Sequence, residues 1–234
     1  MVMMCFLPFV TLNLQAETGF SARSGPRTDF RGVIGIARLP IFVAVRGDSP
    51  FRTINDLINH AKANPGRLVY ASAGVGSLYH STMIVLSRRA GLEFRHIPYQ
   101  GGAPGLAALV GGHVDIALGS PDEVASLAEA GTIRLLAVAS RERIQEGYAQ
   151  VPTLIESGHN VFIENMKGLS APGGTPDEIV TYLHDRFRRA METEQFKTLA
   201  ARSGMLIGYS DAQTYHNNIV EMYNVIAEAM RQTS

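Results

Sequence analysis

From residue 41 onward, apolar runs of strand length alternate with segments of helical period, an order that predicts an α/β protein built on parallel strands. Residues 41–46 form the first run. Thr53 then opens a helix whose Ile54, Leu57, Ile58 and Ala61 share one face; Asp56 completes a capping box and Asn64-Pro65-Gly66 stops it. A strand over 67–71 leads through Ser72-Ala73-Gly74-Val75-Gly76-Ser77 into a helix over 78–90, with Ser77 as N-cap and Gly91 as stop. The unit recurs as strand 94–97, turn Tyr99-Gln100-Gly101-Gly102 and a short helix around 106–110 with Pro104 in its first turn. It recurs again as strand 113–118, N-cap Ser120, Pro121 at the first helical position and Glu123 at the box position, with Gly131 after the helix and a strand over 133–139.

The pattern loosens from 140 to 150 and resumes with an extended stretch over 161–171. Thr175-Pro176-Asp177-Glu178 starts a long helix to about residue 191, and helices near 194–202 and 211–231 close the chain. Ser210 is read as the cap of the last, with Gln213 at its box position. Before residue 40 the apolar opening, 2–14, reads as a strand, with a degenerate secretory signal as the alternative: it is too short to span a bilayer and lacks the basic segment that precedes the apolar part of such a signal.

In a parallel sheet the strand-to-helix loops share the carboxyl edge, so the helix starts near Ser77, Ala103 and Ser120 are expected to face one crevice. Each start offers unpaired N–H groups and the positive end of a helix dipole, a setting for a carboxylate or phosphate. No Lys or Arg occurs in 70–87 or 96–133, so an anion there depends on backbone donors and hydroxyls. Asp122 and Glu123 put negative charge on the third helix start, which directs the anion to the first two and leaves Ser120 to offer its hydroxyl. The plainer alternative is that these Ser- and Gly-rich loops are ordinary turns and caps. His80 either bonds a ligand or a neighbouring carbonyl, His96 and His113 rank below it, and Asp115 is read as ordering local backbone.

Composition narrows the classes. The 21 basic residues balance the 21 acidic ones, which removes the electrostatic case for nucleic acid or an anionic membrane. Cys5 is the only cysteine, so no intramolecular disulfide forms, and no Cys/His spacing suggests a metal site. Gly74-Val75-Gly76-Ser77-Leu78-Tyr79 places Tyr where a dinucleotide fingerprint needs its third small residue, and no Gly-Lys-Ser/Thr phosphate loop is present. Ser77 lies outside any Gly-x-Ser-x-Gly motif. A hydrolase using Ser77 with His80 is a rival reading, but the residues themselves call for neither cofactor nor catalysis.

Several segments in order resemble one family. They are Pro65-Gly66-Arg67-Leu68-Val69-Tyr70, Ser72 to Ser77 with His80, His96-Ile97-Pro98-Tyr99-Gln100-Gly101-Gly102-Ala103-Pro104, Gly111-Gly112-His113-Val114-Asp115, Leu135-Leu136-Ala137-Val138, Val151-Pro152-Thr153 and Ala171-Pro172-Gly173-Gly174-Thr175-Pro176. Together they are similar to the Bug-type solute receptors of tripartite tricarboxylate transporters. Gly119-Ser120-Pro121-Asp122-Glu123-Val124 and Asn165-Met166-Lys167-Gly168-Leu169 look closer to the tricarboxylate branch than to amino-acid-binding relatives.

The resemblance implies a Venus-flytrap fold of the type II periplasmic-binding class, with mainly parallel sheets in two lobes. The expected division is 1–46 with 141–234 as a first lobe and 47–140 as the second, ligand-binding lobe, with the strands over 41–46 and 133–139 crossing between them. Family members carry a further segment, with a signal peptide, before the region matching Asp29, so the first lobe is expected to be incomplete and prone to self-association. The implied function is non-enzymatic capture, in the periplasm, of a small organic carboxylate for a membrane permease. The site is expected at Ser72, Val75, Gly76, Ser77, His80, Tyr99, Gly101, Gly102, Ala103 and Ser120. The alternatives are a sensing or interaction module derived from such a receptor, or a truncated form with little binding.

Overall fold

The computed structural model describes residues 3–6, 28–202 and 205–231. It divides into two compact units, Met1–Leu39 with Asn165–Ala227, and Pro40–Glu164 with Glu228–Ser234. The class is α/β.

In the first unit a four-stranded sheet runs in the order β1-β8-β2-β9, where β1 is Met3–Phe6, β2 Phe30–Leu39, β8 Asn165–Pro172 and β9 Leu206–Ser210. Every pairing in it is antiparallel, which corrects the expectation of mainly parallel sheets. Neither β2 nor β9 is foreseen by the apolar pattern: β2 carries Gly32 and Gly35 among its apolar residues, and β9 alternates only between half-buried and exposed positions. Both glycines exist to let neighbours close in. A Cβ on Gly32 would stand 2.6 Å from the Ala212 carbonyl oxygen, at the start of a helix over Ala212–Arg231. Val33, Ile34, Leu169, Ala171, Val180 and Met191 form this unit's core with helix Asp177–Met191. The last helix is capped by Asp211, whose carboxylate accepts the Thr214 N–H at 2.7 Å, and not by Ser210. Of the apolar opening only Met3–Phe6 is described, and it is a strand; the rest of that expectation lies outside the described residues.

The second unit holds a five-stranded sheet in the order β5-β4-β6-β3-β7: β3 Phe42–Arg46, β4 Val69–Ser72, β5 Arg95–Pro98, β6 Ile116–Gly119 and β7 Ile133–Val138. Strand β4 is parallel to both β5 and β6, whereas β3 runs antiparallel to β6 and β7. The carboxyl ends of β4, β5 and β6 therefore share one edge. From it start α2 (Leu78–Ala90), α3 (Gly102–Val110) and α4 (Pro121–Glu129), while α1 (Ile54–Ala63) joins β3 to β4. The local signals hold at α1, where Thr53 and Asp56 form the capping box, and at α2, which runs from its Ser77 cap to Gly91 at φ 66°.

Both boundaries of this unit differ from the expected division. Strand β3 sits inside its sheet, paired along its length with β7, so 41–46 and 133–139 are neighbouring strands of one unit. Residues 141–164 also belong here. Leu154 N–H donates to the Val138 carbonyl at 2.9 Å, Ile163 N–H donates to that of Ala139 at 3.0 Å, and Val151, Leu154, Val161 and Ile163 are buried. Burying those four apolar side chains is worth about 2 kcal/mol each, which outweighs the weak periodicity of the segment.

Candidate functional site

The first loop at the shared edge is built by one hydroxyl. Ser72, at the end of β4, is 2% exposed, and its Oγ accepts the Gly74 N–H at 3.2 Å. It donates to the Gly74 carbonyl at 3.0 Å and makes a further hydrogen bond with His96 Nε2 at 2.7 Å, whose direction follows the His96 tautomer. Ser77 closes the turn: its N–H donates to the Gly74 carbonyl at 3.2 Å, and its Oγ accepts the His80 N–H at 3.2 Å as the cap of α2. Between them Val75 is 76% exposed and Gly76 stands at φ 80°, a left-handed conformation that glycine adopts at little cost. Ser77 takes only one of the first-turn N–H groups of α2.

Beneath this loop lies a stack of rings that the sequence does not announce. Tyr70 and His96 face each other across the parallel β4–β5 register, with ring centroids 4.7 Å apart and 21° between planes. His80, from the first turn of α2, lies over His96 at 4.2 Å and 15°. Its Nδ1 accepts the Gly76 N–H at 3.1 Å, so neutral His80 carries its proton on Nε2. Partial burial holds His80 below the usual histidine range, and burial together with the neighbouring His80 pushes His96 down to about 4.

Both shifts lower the folded-state value, so the unfolded chain binds more protons on acidification. Their contribution is complete above the ordinary histidine value of about 6.5 and is lost as pH falls from there toward 4. His159 and His216, also held low by burial, add to the same trend. Thermal melts are therefore expected to be flat above pH 7 and to fall across that window, with a shallower fall in a His80→Asn, His96→Gln double variant. Identical slopes would deny the pair any share.

The second loop lies beside the first, since Tyr99 N–H donates to the Ser72 carbonyl at 2.9 Å. Gly101, at φ 116°, precedes α3, which starts with no side-chain cap and no acidic residue in its first turn. Gly102 and Ala103 bring N–H groups to that start; Pro104 has none. The acid comes instead from α4. The Glu123 carboxylate accepts the Ser120 N–H at 2.9 Å and a hydrogen bond from the Tyr79 hydroxyl, and a Cβ on Gly102 would collide with it. Tyr79 is on α2, so Glu123 sits where all three helix starts meet. Burial, with Glu123 next, raises the Tyr79 phenol well above its usual range and keeps it a neutral donor.

The expected site residues thus fall into two groups. Val75, Gly76, Ser77, Tyr99, Gly101, Gly102 and Ala103 are brought together on two adjacent loops, although Gly102 itself is buried under Glu123. The polar side chains of Ser72, His80 and Ser120 are already committed within the chain: Ser72 to Gly74 and His96, His80 to Gly76, and Ser120 to Asp122 at 2.6 Å and Glu123 at 3.0 Å. Reading the sequence missed Tyr70, Tyr79 and the reach of Glu123, and ranked His96 below His80. Asp115 ties backbone, as expected, accepting the Val69 N–H at 2.8 Å. Among the described residues no cluster of His, Cys, Asp or Glu is placed to hold a metal ion, and no helix is long and apolar enough to cross a membrane.

Backbone donors gathered at one sheet edge suit a solute-binding protein, and comparison with known proteins decides the family. Residues 20–232 match the model of the tripartite tricarboxylate transporter family receptor. The chain belongs to that family. This is a class of solute-binding receptors, not of enzymes. The His80 ring is turned to Gly76 and only its backbone meets the Ser77 hydroxyl, so the two side chains do not form the dyad of the rival hydrolase reading. A Cupriavidus necator relative, the UPF0065 protein in the gbd 5′ region, is 37% identical over 190 residues, 81% of this chain and 58% of that protein. The chain spans between about half and two thirds of the length of this relative and of two further curated ones. A tricarboxylate-family solute-binding protein from Polaromonas, solved without ligand, superposes with a TM-score of 0.83 at 26% identity, covering 93% of this chain and 74% of that one. An R. palustris protein solved with adipate gives 0.69 at 30% identity, covering 88% and 70%. The fold is therefore that of the periplasmic binding proteins.

Proposed function

We propose that this receptor-family chain binds a small di- or tricarboxylate at the 74–77 and 101–103 loops, chiefly through backbone N–H groups. The observation that carries the reading is the gathering of the α2 and α3 starts at one edge, in a stretch without Lys or Arg. A helix start is worth up to about 1 kcal/mol to an adjacent anion and each charge-assisted hydrogen bond about 2 kcal/mol, so micromolar capture, about 8 kcal/mol net of the cost of association, calls for several such donors acting together. Glu123 already supplies negative charge on the α3–α4 side, which supports seating the ligand carboxylate toward Gly76 and Ser77. Val75, exposed beside them, is a contact for the ligand's carbon chain. Ser72, His80 and Ser120 serve by shaping the loops.

The family description and the adipate held by the R. palustris neighbour support an organic acid as the cargo, a tripartite tricarboxylate permease as the recipient and the periplasm as the place. Self-association has the exposed Ile207 and Tyr209 of edge strand β9 to draw on. Calorimetric titration of the folded chain with adipate, citrate and malate tests the reading; binding of at least one in the micromolar range is expected. Heat from none of them, in a sample with a cooperative melt, would overturn it.

A further inference from the structure

We propose that the stacked His80–His96 pair is the positioning element of the 72–77 loop, holding it at both ends, and that the grip of His80 on Gly76 lasts only while the His80 ring is uncharged. The inference rests on the reading that this loop receives the ligand. His96 Nε2 lies 2.7 Å from the Ser72 hydroxyl, the group that organises the start of the loop. His80 Nδ1 accepts the N–H of Gly76, near its end, at 3.1 Å. The two grips are joined because the rings lie 4.2 Å apart and within 15° of parallel. One ring comes from α2 and the other from β5, so the loop, the helix and the neighbouring strand are clamped together at a single contact.

Protonation undoes the clamp for a geometric reason. With Nε2 already carrying its hydrogen, a second proton on His80 goes to Nδ1, and the acceptor for Gly76 becomes a donor aimed at another donor. The groups that meet the rings are Tyr70 and Ser72 from β4 and each ring against the other; Phe94 packs behind, edge-on to Tyr70 at 6.3 Å. Tyr70 is held neutral, its phenol raised by burial, and among the described residues no carboxylate acts on either ring. A charge on the pair therefore gains no counter-ion. The low values of both histidines agree with this. An ordinary cap accounts for Ser77, since its hydroxyl meets the His80 N–H, but it does not require an imidazole at position 80 or at 96.

The test uses the full chain and two variants. His80→Phe keeps a stacking ring and removes the acceptor; His80→Asn keeps an acceptor near the Nδ1 position and removes the titration. Hydrogen exchange of the Gly76 amide, measured by NMR without ligand, is expected to be faster by about tenfold in His80→Phe at pH 7.5, the equivalent of one lost hydrogen bond, and close to wild type in His80→Asn. Between pH 7.5 and 5.0, wild type is expected to lose Gly76 protection beyond the intrinsic pH effect, and His80→Asn to keep it. Adipate affinity at pH 7.5 is expected to follow the same order. Unchanged Gly76 exchange in His80→Phe, or equal loss of protection in wild type and His80→Asn, overturns the proposal. Should His80→Phe fail to fold, the wild-type and His80→Asn comparison decides alone. Failure of wild type to bind any of adipate, citrate and malate would sink the carboxylate reading while leaving the exchange measurements to judge the clamp.

Discussion

Gly76→Val is expected to abolish measurable adipate binding, a loss of about a hundredfold or more, while lowering the melting temperature by only a few degrees. The small stability cost follows from the backbone. At φ 80° a β-branched residue costs roughly 1–2 kcal/mol, yet a Cβ there meets nothing within 4 Å, so no collision adds to it. The large binding cost follows from the proposed site, in which a carboxylate seats against the α2 start beside Gly76 and a branched side chain there blocks it. Gly91→Val is the matched control: its φ of 66° and equally open surroundings impose similar strain at the far end of the same helix. Titration of both variants separates the cases, and equal affinity in the two would remove the 74–77 loop from the site.

Phe42→Ala is expected to destabilise the second unit by about 3–5 kcal/mol, read as a lower urea midpoint with an unchanged slope. Phe42 is fully buried on β3, between β6 and β7, and its ring meets that of Tyr148 at 4.6 Å. Its register partner on β6 is Gly119, the residue before the Ser120 cap of α4. The cavity thus opens directly below the start that carries Glu123, and adipate affinity is expected to fall together with stability. A loss below about 1 kcal/mol would mean that neighbouring side chains collapse into the space.

Much of the second unit was legible because its signals are local. A capping box closes within three residues, so Thr53 with Asp56, and Ser120 with Glu123, mark the starts of α1 and α4 without reference to anything distant. The Ser77 cap and Gly91 stop of α2 are of the same kind. The two candidate loops were legible for a related reason, since glycine and serine between an apolar run and a helical period leave few alternatives. The first unit was less so. Its sheet pairs β2 with β8, well over a hundred residues away, and glycines placed for close packing against the last helix disguise β2 as irregular chain.

What the sequence determined by itself is the succession of elements in the second unit, the caps, the absence of Lys and Arg from 70–87 and 96–133 and the segments that carry the family resemblance. Only the tertiary structure decided which side chains meet. His96 stood apart from His80 until the parallel register set it beside Tyr70 and under the first turn of α2. Glu123 read as a cap of α4 alone, yet it also receives Tyr79 from α2 and covers Gly102 of α3. The direction of β3 and the membership of 141–164 were likewise set by pairing. The reason is one of range: a cap is satisfied within one helical turn and is written in neighbouring residues. A stack or a shared carboxylate depends on strand register and helix approach, which the packing of the whole core selects.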